Sequence, residues 1–416
     1  MSRVVDHEST LDARASNGAH SAEHHDLHMV FECDRPLSGS TRHCLDEVDE
    51  VLFAHDSERS FRRELVDGVR RLTIAVPDFR IGSVHGALKR FDRGWGLVHA
   101  ASLRESASHS HPTPLLDGST FELGRTFFLF RSFSWLTGSI EGPADATSSS
   151  FGETSLVSLS HEYDFLFARL LTASRAGQPI LLIGEAGSGK DTLAQALHAE
   201  SGRQGPFVAV NCAELGRADT SPAGEGPLAH LALQFKRAAG GTLYLNEIEG
   251  LNPIAQLALL PILRSGAQPC GATIISSVRS NHDLRPEVPR IRADLLAQLA
   301  GFTMPVRPLR ERREDLGALL SSILAKVGGT ESSRIAVDPS MGRSLLHHVW
   351  PYNLSELESC VRTSVALSEN HAIRWSPATL FHASTPSVTF PAARSHATPP
   401  PSAPEPILQQ PSLVPD

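Results

Sequence analysis

The stretch Pro179–Ala199, PILLIGEAGSGKDTLAQALHA, limits what this chain can fold into more than any other. An apolar β-type run, Ile180–Ile183, stops at Gly184, and an amphipathic helix is expected from about Asp191. Between them Glu185, Ala186, Gly187, Ser188, Gly189 and Lys190 complete the P-loop pattern G-x-x-x-x-G-K. Glycines let backbone N–H groups turn inward around phosphate oxygens. The helix N-terminus adds a positive dipole end, and the lysine ammonium supplies a mobile point charge. The strand before and the helix after set the pattern apart from a chance Gly-rich turn. Asp191 is irregular, standing where many P-loops place a Ser or Thr hydroxyl on Mg²⁺. The expectation is a nucleotide site that takes ATP.

A chain of 416 residues has room for two or three domains, and its apolar fraction of 41% is low enough to predict disordered segments as well. A net charge of −8 without a dense Lys/Arg block gives no electrostatic footprint for nucleic acid or for an anionic membrane. No apolar run approaches the roughly 20 residues that span a bilayer, and the N-terminus has no signal-peptide pattern, so a cytoplasmic location is expected. The five cysteines (Cys33, Cys44, Cys212, Cys270 and Cys360) show no C-x-x-C spacing and read as reduced thiols.

Residues 1–28 are polar and His-rich and read as a solvated tail, with no fixed ligand geometry for a metal. From 29 to 131, short β-type runs recur between turns: Met29–Glu32, Glu50–Phe53, Leu72–Val76, Ala87–Phe91, Trp95–His99, Thr120–Leu123 and Thr126–Phe130. Regular short strands predict an all-β sandwich. The order Ser83-Val84-His85, Gly94-Trp95-Gly96-Leu97, Leu116-Asp117-Gly118 and Phe121-Glu122-Leu123-Gly124 resembles a forkhead-associated (FHA) domain, a phosphothreonine-peptide reader. The recognition positions depart from that family. Ala54-His55 stands for its Gly-Arg, Gly82 for its serine beside Ser83, and Ser102-Leu103-Arg104-Glu105 for its Ser-x-Asn-Gly turn. A phosphopeptide site would have to use His55, Ser83 and Arg104 without the bidentate arginine that fits phosphate best. The leading alternative is a sandwich that docks proteins without phosphate. Residues 132–160 are rich in Gly, Ser, Thr and Pro and read as a flexible linker.

Residues 161–308 alternate helical and buried-strand patterns. His161–Gly177 reads as a helix, and Pro206–Asn211 and Thr273–Val278 read as strands. Gly240–Glu247 gives an apolar strand that ends in Asn246-Glu247, where a second phosphate-site motif (Walker B) would place a carboxylate on Mg²⁺ and a glutamate on water. Such alternation predicts a parallel α/β sheet with its site at the strand C-termini.

The segments LLIGEAGSGKD, GPFVAVNCAEL, GGTLYLNEIEGL, RADLLAQLAGFTMPVRPLRERREDL and WPYNLSELES together resemble the AAA+ ATPase domain of bacterial sigma-54-dependent transcription activators. The resemblance covers about 155–380 and implies an α/β core to about Pro308, then a small helical lid over 309–380. In that family the Walker A motif commonly ends in Lys-Glu, which makes Asp191 a near match. The resemblance assigns Glu247 as catalytic base and Arg292 as the first of two arginine fingers reaching a neighbouring subunit. Several positions depart. Asn246 replaces the metal-holding aspartate, which should weaken Mg²⁺ at that position. Gln298 fills the second finger position, a loss on the order of 10³-fold in rate for such an arginine. Arg279 falls near the sensor asparagine, with Asn281 two residues on, and Ser355 stands for the lid arginine. The G-A-F-T-G-A loop that touches sigma-54 is absent between Leu215 and Gly240, no helix-turn-helix follows the lid, and 381–416 reads as a disordered Pro/Ser-rich tail.

The resulting expectation is a multidomain regulator: an FHA-like sandwich, a P-loop AAA+ core and a small lid. It would bind ATP, hydrolyse slowly or not at all, and act through protein partners. Those partners include an RNA polymerase sigma factor, AAA+ relatives in a homo- or hetero-oligomer, or a phosphoprotein at the FHA-like domain, without direct DNA contact. The rivals are an active ATPase that remodels the polymerase holoenzyme and a nucleotide-independent scaffold. Pro308–Arg313 has two readings, a solvated charged turn or the hinge to the lid, and Cys212 reads as a packed thiol.

Overall fold

A computed structural model describes residues 21–81, 86–92, 94–99, 112–136, 146–147, 150–151, 156–215, 227–264, 271–280, 291–368 and 372–373. The N-terminal part is all β: β1 (Ser21–Glu32), β2 (Thr41–Cys44), β3 (Glu50–His55), β4 (Ser60–Val66), β5 (Val69–Val76), β6 (Gly86–Phe91), β7 (Gly94–His99), β8 (Thr113–Leu115), β9 (Thr120–Leu123), β10 (Thr126–Leu136) and β11 (Ala146–Thr147). One sheet runs β11-β2-β1-β10-β9 and the other β4-β5-β3-β6-β7-β8. They face each other across a core that includes Leu27, Met29, Phe53, Ile74, Leu88, Trp95 and Phe128, which makes the domain a sandwich.

The seven strands expected from alternation are present. Four more, β2, β4, β8 and β11, are not apparent from the sequence, and β4 shows why. Its residues Arg62–Leu65 are exposed, and β4 is the outermost strand of its sheet, so no buried face imprints a pattern.

Folded structure begins earlier than expected. β1 starts at Ser21, and its residues from His25 on are buried. A His-rich stretch that reads as solvated tail is thus a central strand covered on both faces. Leu27 and Met29 point into the sandwich, while Asp26 and His28 lie on the opposite face of the strand. A register irregularity between Met29 and Phe31 then places both Val30 and Phe31 in a second core shared with the lid. On β10, Phe128 and Phe130 face the sandwich, whereas Phe127 and Leu129 face the lid.

The expected flexible linker also carries structure. After β12 (Ser150–Phe151) and β13 (Leu156–Val157), the Leu159 N–H donates to Asp315 Oδ1 at 2.7 Å, and the Ser158 hydroxyl donates to both Asp315 oxygens. The Arg42 guanidinium donates to Leu159 O at 2.8 Å, tying this segment to β2 as well.

The core holds five parallel strands in the order β15-β16-β17-β14-β18: β14 (Ile180–Gly184), β15 (Phe207–Asn211), β16 (Thr242–Asn246), β17 (Thr273–Arg279) and β18 (Phe302–Pro305). Both faces are covered, which is why β14 reads as uninterrupted Ile-Leu-Leu-Ile. Around the sheet lie α1 (His161–Arg175), α2 (Lys190–Glu200), α3 (Cys212–Leu215), α4 (Pro227–Arg237), α5 (Pro253–Arg264) and α6 (Ala293–Leu299). The lid comprises α7 (Leu316–Gly328), α8 (Pro339–His347) and α9 (Asn353–Ala366), with a short pair β19 (Ala336–Val337) and β20 (Ala372–Ile373). Trp350 is fully buried in the lid and donates its indole N–H to Leu345 O.

Sandwich and lid share one core. Phe31, Cys33, Phe127 and Leu129 pack with Leu316, Leu320, Met341, Leu345 and Leu357. The Val337 N–H donates to Cys33 O at 2.7 Å, and Arg343 grips Glu122 with two nitrogens.

Candidate nucleotide site

The P-loop joins β14 to α2 at the C-terminal edge of the sheet. Gly187 and Gly189 hold φ of +69° and +93°, a backbone region that favours glycine. At Gly184 a Cβ would come within 2.8 Å of Val306 O and 2.9 Å of Ser188 Oγ. Lys190 is buried, and its ammonium donates to Gly184 O at 2.9 Å and Glu185 O at 2.7 Å. Burial lowers its pKa.

The lid rests directly on this loop. The Leu354 N–H donates to Gly187 O, Asn353 Nδ2 to Ala186 O and Arg312 Nη2 to Ser188 O, at 2.9, 3.0 and 2.7 Å. In a trans peptide the N–H points opposite to the C=O. These bonds therefore turn the N–H groups of Gly187 and Gly189 away from the lid. Ser188 Oγ is buried and has no hydrogen-bond partner among the described residues. A turned-in backbone, an orphaned hydroxyl and a buried lysine fit a phosphate cradle.

Arg310 closes the hinge with a two-pronged ion pair to Glu185, 2.8 and 2.6 Å, and Asn353 Nδ2 adds a contact to the same carboxylate at 3.2 Å. Pro308–Arg313 is thus no solvated turn. Two of its arginines are docked on the P-loop. Their clustering beside a hinge was the only hint in the sequence.

At the end of β16, a chain of hydrogen bonds fixes the altered Walker B position. The Tyr244 hydroxyl donates to Asp191 Oδ1 at 2.6 Å and lies 3.2 Å from Asn246 Oδ1, which also accepts from the Ser277 hydroxyl at 2.7 Å. The Glu247 N–H in turn donates to Ser277 Oγ at 3.0 Å. Burial and the bond to Asp191 both raise the Tyr244 pKa, so the phenol keeps its proton as donor. The Ser277 hydroxyl already engages the Asn246 carbonyl oxygen, and a neutral amide gives Mg²⁺ no charged oxygen to bind. The residues do not fit the Mg²⁺ expected at this position.

Glu247 stands next, in the left-handed region at φ +53°. Its carboxylate forms an ion pair with Arg279 Nη2, while the Arg279 N–H donates to Glu249 Oε1 at 3.1 Å. The sequence places Arg279 at the sensor position but gives no sign that it grips the glutamate. Tyr244 and Ser277 are likewise invisible as site residues, because each sits in an apolar strand pattern.

Other expected residues lie apart. Arg292 caps α6 on the surface and pairs with Asp294 at 3.0 and 2.9 Å. Ser355 packs against Gly187, at the position where the family's lid arginine would stand. Cys212 is buried, and burial pushes its thiol up to about 12, as suits a packed thiol. His55 is exposed at the end of β3, whereas Ser83, Arg104, Asn281, the segment 216–226 and the tail fall outside the described residues.

Residues 157–309 match the family model for the sigma-54 interaction domain, and 310–384 match that for the AAA+ ATPase lid domain. The pathogenicity locus probable regulatory protein HrpS of Pseudomonas savastanoi pv. phaseolicola is 34% identical over 210 residues, which cover 46% of this chain and 70% of that protein. The chain belongs to the sigma-54 interaction domain family. A Nif-specific regulatory protein of Azotobacter vinelandii is 33% identical to this family member over 226 residues, covering 50% of this chain and 43% of that protein. Another from Herbaspirillum seropedicae is 28% identical over 367 residues, covering 83% and 65%. The matched stretch thus leaves a third or more of both Nif-specific proteins unaligned. A solved structure of NtrX from Brucella abortus in complex with ATP is 27% identical, covering 54% of this chain and 55% of that one, with a TM-score of 0.44.

Proposed function

We propose that this sigma-54 interaction domain protein binds ATP at the cradle of residues 184–191 and hydrolyses it slowly or not at all. It would serve as a transcription regulator through protein partners rather than through DNA. The observation that carries this reading is the Arg279–Glu247 ion pair. A glutamate can polarise water only while its carboxylate is free to accept, and a guanidinium at that oxygen competes for it. Asn246, held by the Ser277 hydroxyl, puts a neutral amide where a metal-binding carboxylate would stand beside it. Bound ATP would supply phosphate charge to the cradle. Lys190 and the N–H groups of Gly187 and Gly189 would hold that charge, and the lid hinge would stay docked on the loop.

The partner surfaces proposed are those of AAA+ relatives in a mixed or homo-oligomeric assembly, or an RNA polymerase sigma factor. The sandwich is proposed as an FHA-like protein-docking domain, on the strength of its two-sheet architecture and the landmark order in its sequence. Because Arg292 is the one matched finger residue and is exposed, it is available to a neighbouring subunit.

The test combines two measurements on the full chain. Titration with a fluorescent ATP analogue should saturate, and Lys190→Ala should abolish that binding. Steady-state ATP hydrolysis should lie at least about 100-fold below that of an active family member, the span general-base loss commonly produces. A rate equal to that relative's overturns the impaired-hydrolysis reading. Absence of binding in the wild type overturns the nucleotide reading altogether.

A further inference from the structure

Where sandwich, core and lid meet, a cleft of about 410 Å³ opens to solvent. Asp26 and His28 reach it from β1, Phe133 from β10, His161 from the head of α1, and Arg307 and Glu314 from the hinge. We propose that this cleft binds a small organic cation, a primary amine, with Asp26 as its counter-charge.

The charge balance points that way. Four carboxylates line the space (Asp26, Asp117, Glu162, Glu314) against two guanidiniums, Arg131 and Arg307. Both guanidiniums are already engaged. Arg131 donates to Glu311 O at 2.9 Å and lies 3.3 Å from Asp117 and 3.4 Å from Glu314. Arg307 donates to Ser160 Oγ at 2.8 Å and faces Glu162 and Glu314 at 3.5 and 3.6 Å. Among the described residues, Asp26 has only imidazoles in ion-pair reach, His161 Nε2 at 3.3 Å and His28 Nε2 at 4.0 Å.

Neither imidazole satisfies it. Burial and the neighbouring Arg42 and Arg131 guanidiniums push the His28 pKa well below the usual range, so that ring is neutral. Asp26 Oδ1, Glu314 Oε2, His28 Nδ1 and His161 Nε2 have no hydrogen-bond partner among the described residues. Asp26, His28 and Glu314 are 2% exposed each, so their unpartnered atoms sit where a polar group normally has a partner. Two of these atoms are carboxylate oxygens, which need donors, and an ammonium brings three with a charge of the needed sign. Phe133, whose ring lies 5.9 Å from that of His161, adds an aromatic wall that suits a cation. A metal ion fits less well, since no three ligating groups among the described residues have metal-site geometry. The volume falls within the span of small-molecule sites. A ligand there touches all three units and would stabilise them in the docked arrangement by mass action.

Isothermal titration of the full chain with n-butylamine, n-butyrate and n-butanol tests this, because all three are four-carbon chains with head groups of different charge. Butylamine should bind saturably at one site, with the other two at least tenfold weaker. Asp26→Asn should weaken butylamine tenfold or more, and Phe133→Leu threefold or more. Thermal unfolding of each variant shows whether it is folded, and Phe133→Leu decides if Asp26→Asn is not. Lys190→Ala should leave the amine affinity unchanged, which separates this result from the fate of the nucleotide reading. Tighter binding of butyrate would make the cleft an anion site run by its arginines. No saturable binding would mean a hydrated cleft in which a protonated His161 serves Asp26. Unchanged butylamine affinity in folded Asp26→Asn would overturn the assignment as well.

Discussion

Arg279 and Glu247 form an ion pair between the C-terminal ends of two adjacent parallel strands, β17 and β16. The pair occupies the place where hydrolysis would need a free carboxylate. Lys190 lies within electrostatic reach of both members, and Arg279 adds to the burial that lowers the lysine's pKa. A single guanidinium thereby acts on the glutamate and on the lysine.

Removing that guanidinium should release the glutamate. Arg279→Asn alone is expected to raise steady-state ATP hydrolysis modestly, because Asn246 still cannot hold a cation. Combined with Asn246→Asp it should raise the rate by about 10²-fold or more, within the range attributed to a positioned general base. The check is a Mg²⁺-dependent ATPase assay on the single and double variants. A double variant no faster than wild type would mean that the ion pair is not what limits hydrolysis.

Gly317 gives a prediction whose sign runs against helix propensity. It lies inside α7, where Gly→Ala ordinarily stabilises by about 1 kcal/mol. Here a Cβ would collide with the Val30 carbonyl oxygen and come within 2.6 Å of Ser40 Oγ, because α7 packs backbone-close on β1. Gly317→Ala should instead destabilise by about 1–3 kcal/mol, the cost of overpacking. Thermal unfolding checks it, and a raised Tm would show that sandwich and lid can separate at little cost.

These contacts bear on what the sequence could reveal. The P-loop and the core strands were legible because glycine spacing and unbroken apolar runs leave a mark in a single segment. Asn246 and Arg279 were also visible as departures and Glu247 as a match, each on its own. Their mutual geometry was not, since an ion pair between two strand ends depends on sheet order. β1 misled for a related reason. Its histidines and Asp26 look solvated, yet the lid covers the strand face that would otherwise meet water. Arg310 and Arg312 admitted two readings, a charged turn or the hinge, and the fold puts Glu185 and Ser188 O in front of them.

His28 should make the protein acid-sensitive. It is buried, and its pKa lies well below the ordinary value near 6.5 through burial, with the Arg42, Arg131, His161 and His43 charges acting in the same direction. Below pH 6.5 the unfolded chain therefore takes up a proton that the folded chain refuses, so its stability is present above that pH and lost as pH falls. The slope is about 1.4 kcal/mol per pH unit from this one group. Asp315 works in the opposite sense. Burial and Glu314 push it up to about 7, so its contribution is full at low pH and lost as pH rises through 7. The difference between wild type and His28→Gln isolates the histidine. Denaturant titrations from pH 7 to 5 should show the variant losing less stability per unit, and parallel curves would assign the acid sensitivity elsewhere.

The Arg310–Glu185 fork should be the strongest single tie between hinge and P-loop. Both side chains are largely shielded, 24% and 17% exposed, and the geometry is bidentate, which distinguishes the pair from surface ion pairs worth little. Arg310→Ala removes both prongs of the fork from Glu185 and should cost about 1–3 kcal/mol. Arg310→Lys keeps the charge but loses the fork and should fall between. A double-mutant cycle with Glu185→Gln, read by denaturant unfolding, should return a coupling energy of about 1 kcal/mol or more for residues in direct contact. Coupling near zero would mean that Leu354, Asn353 and Arg312 hold the lid on the loop unaided, and that the P-loop backbone, not Glu185, is what the lid recognises.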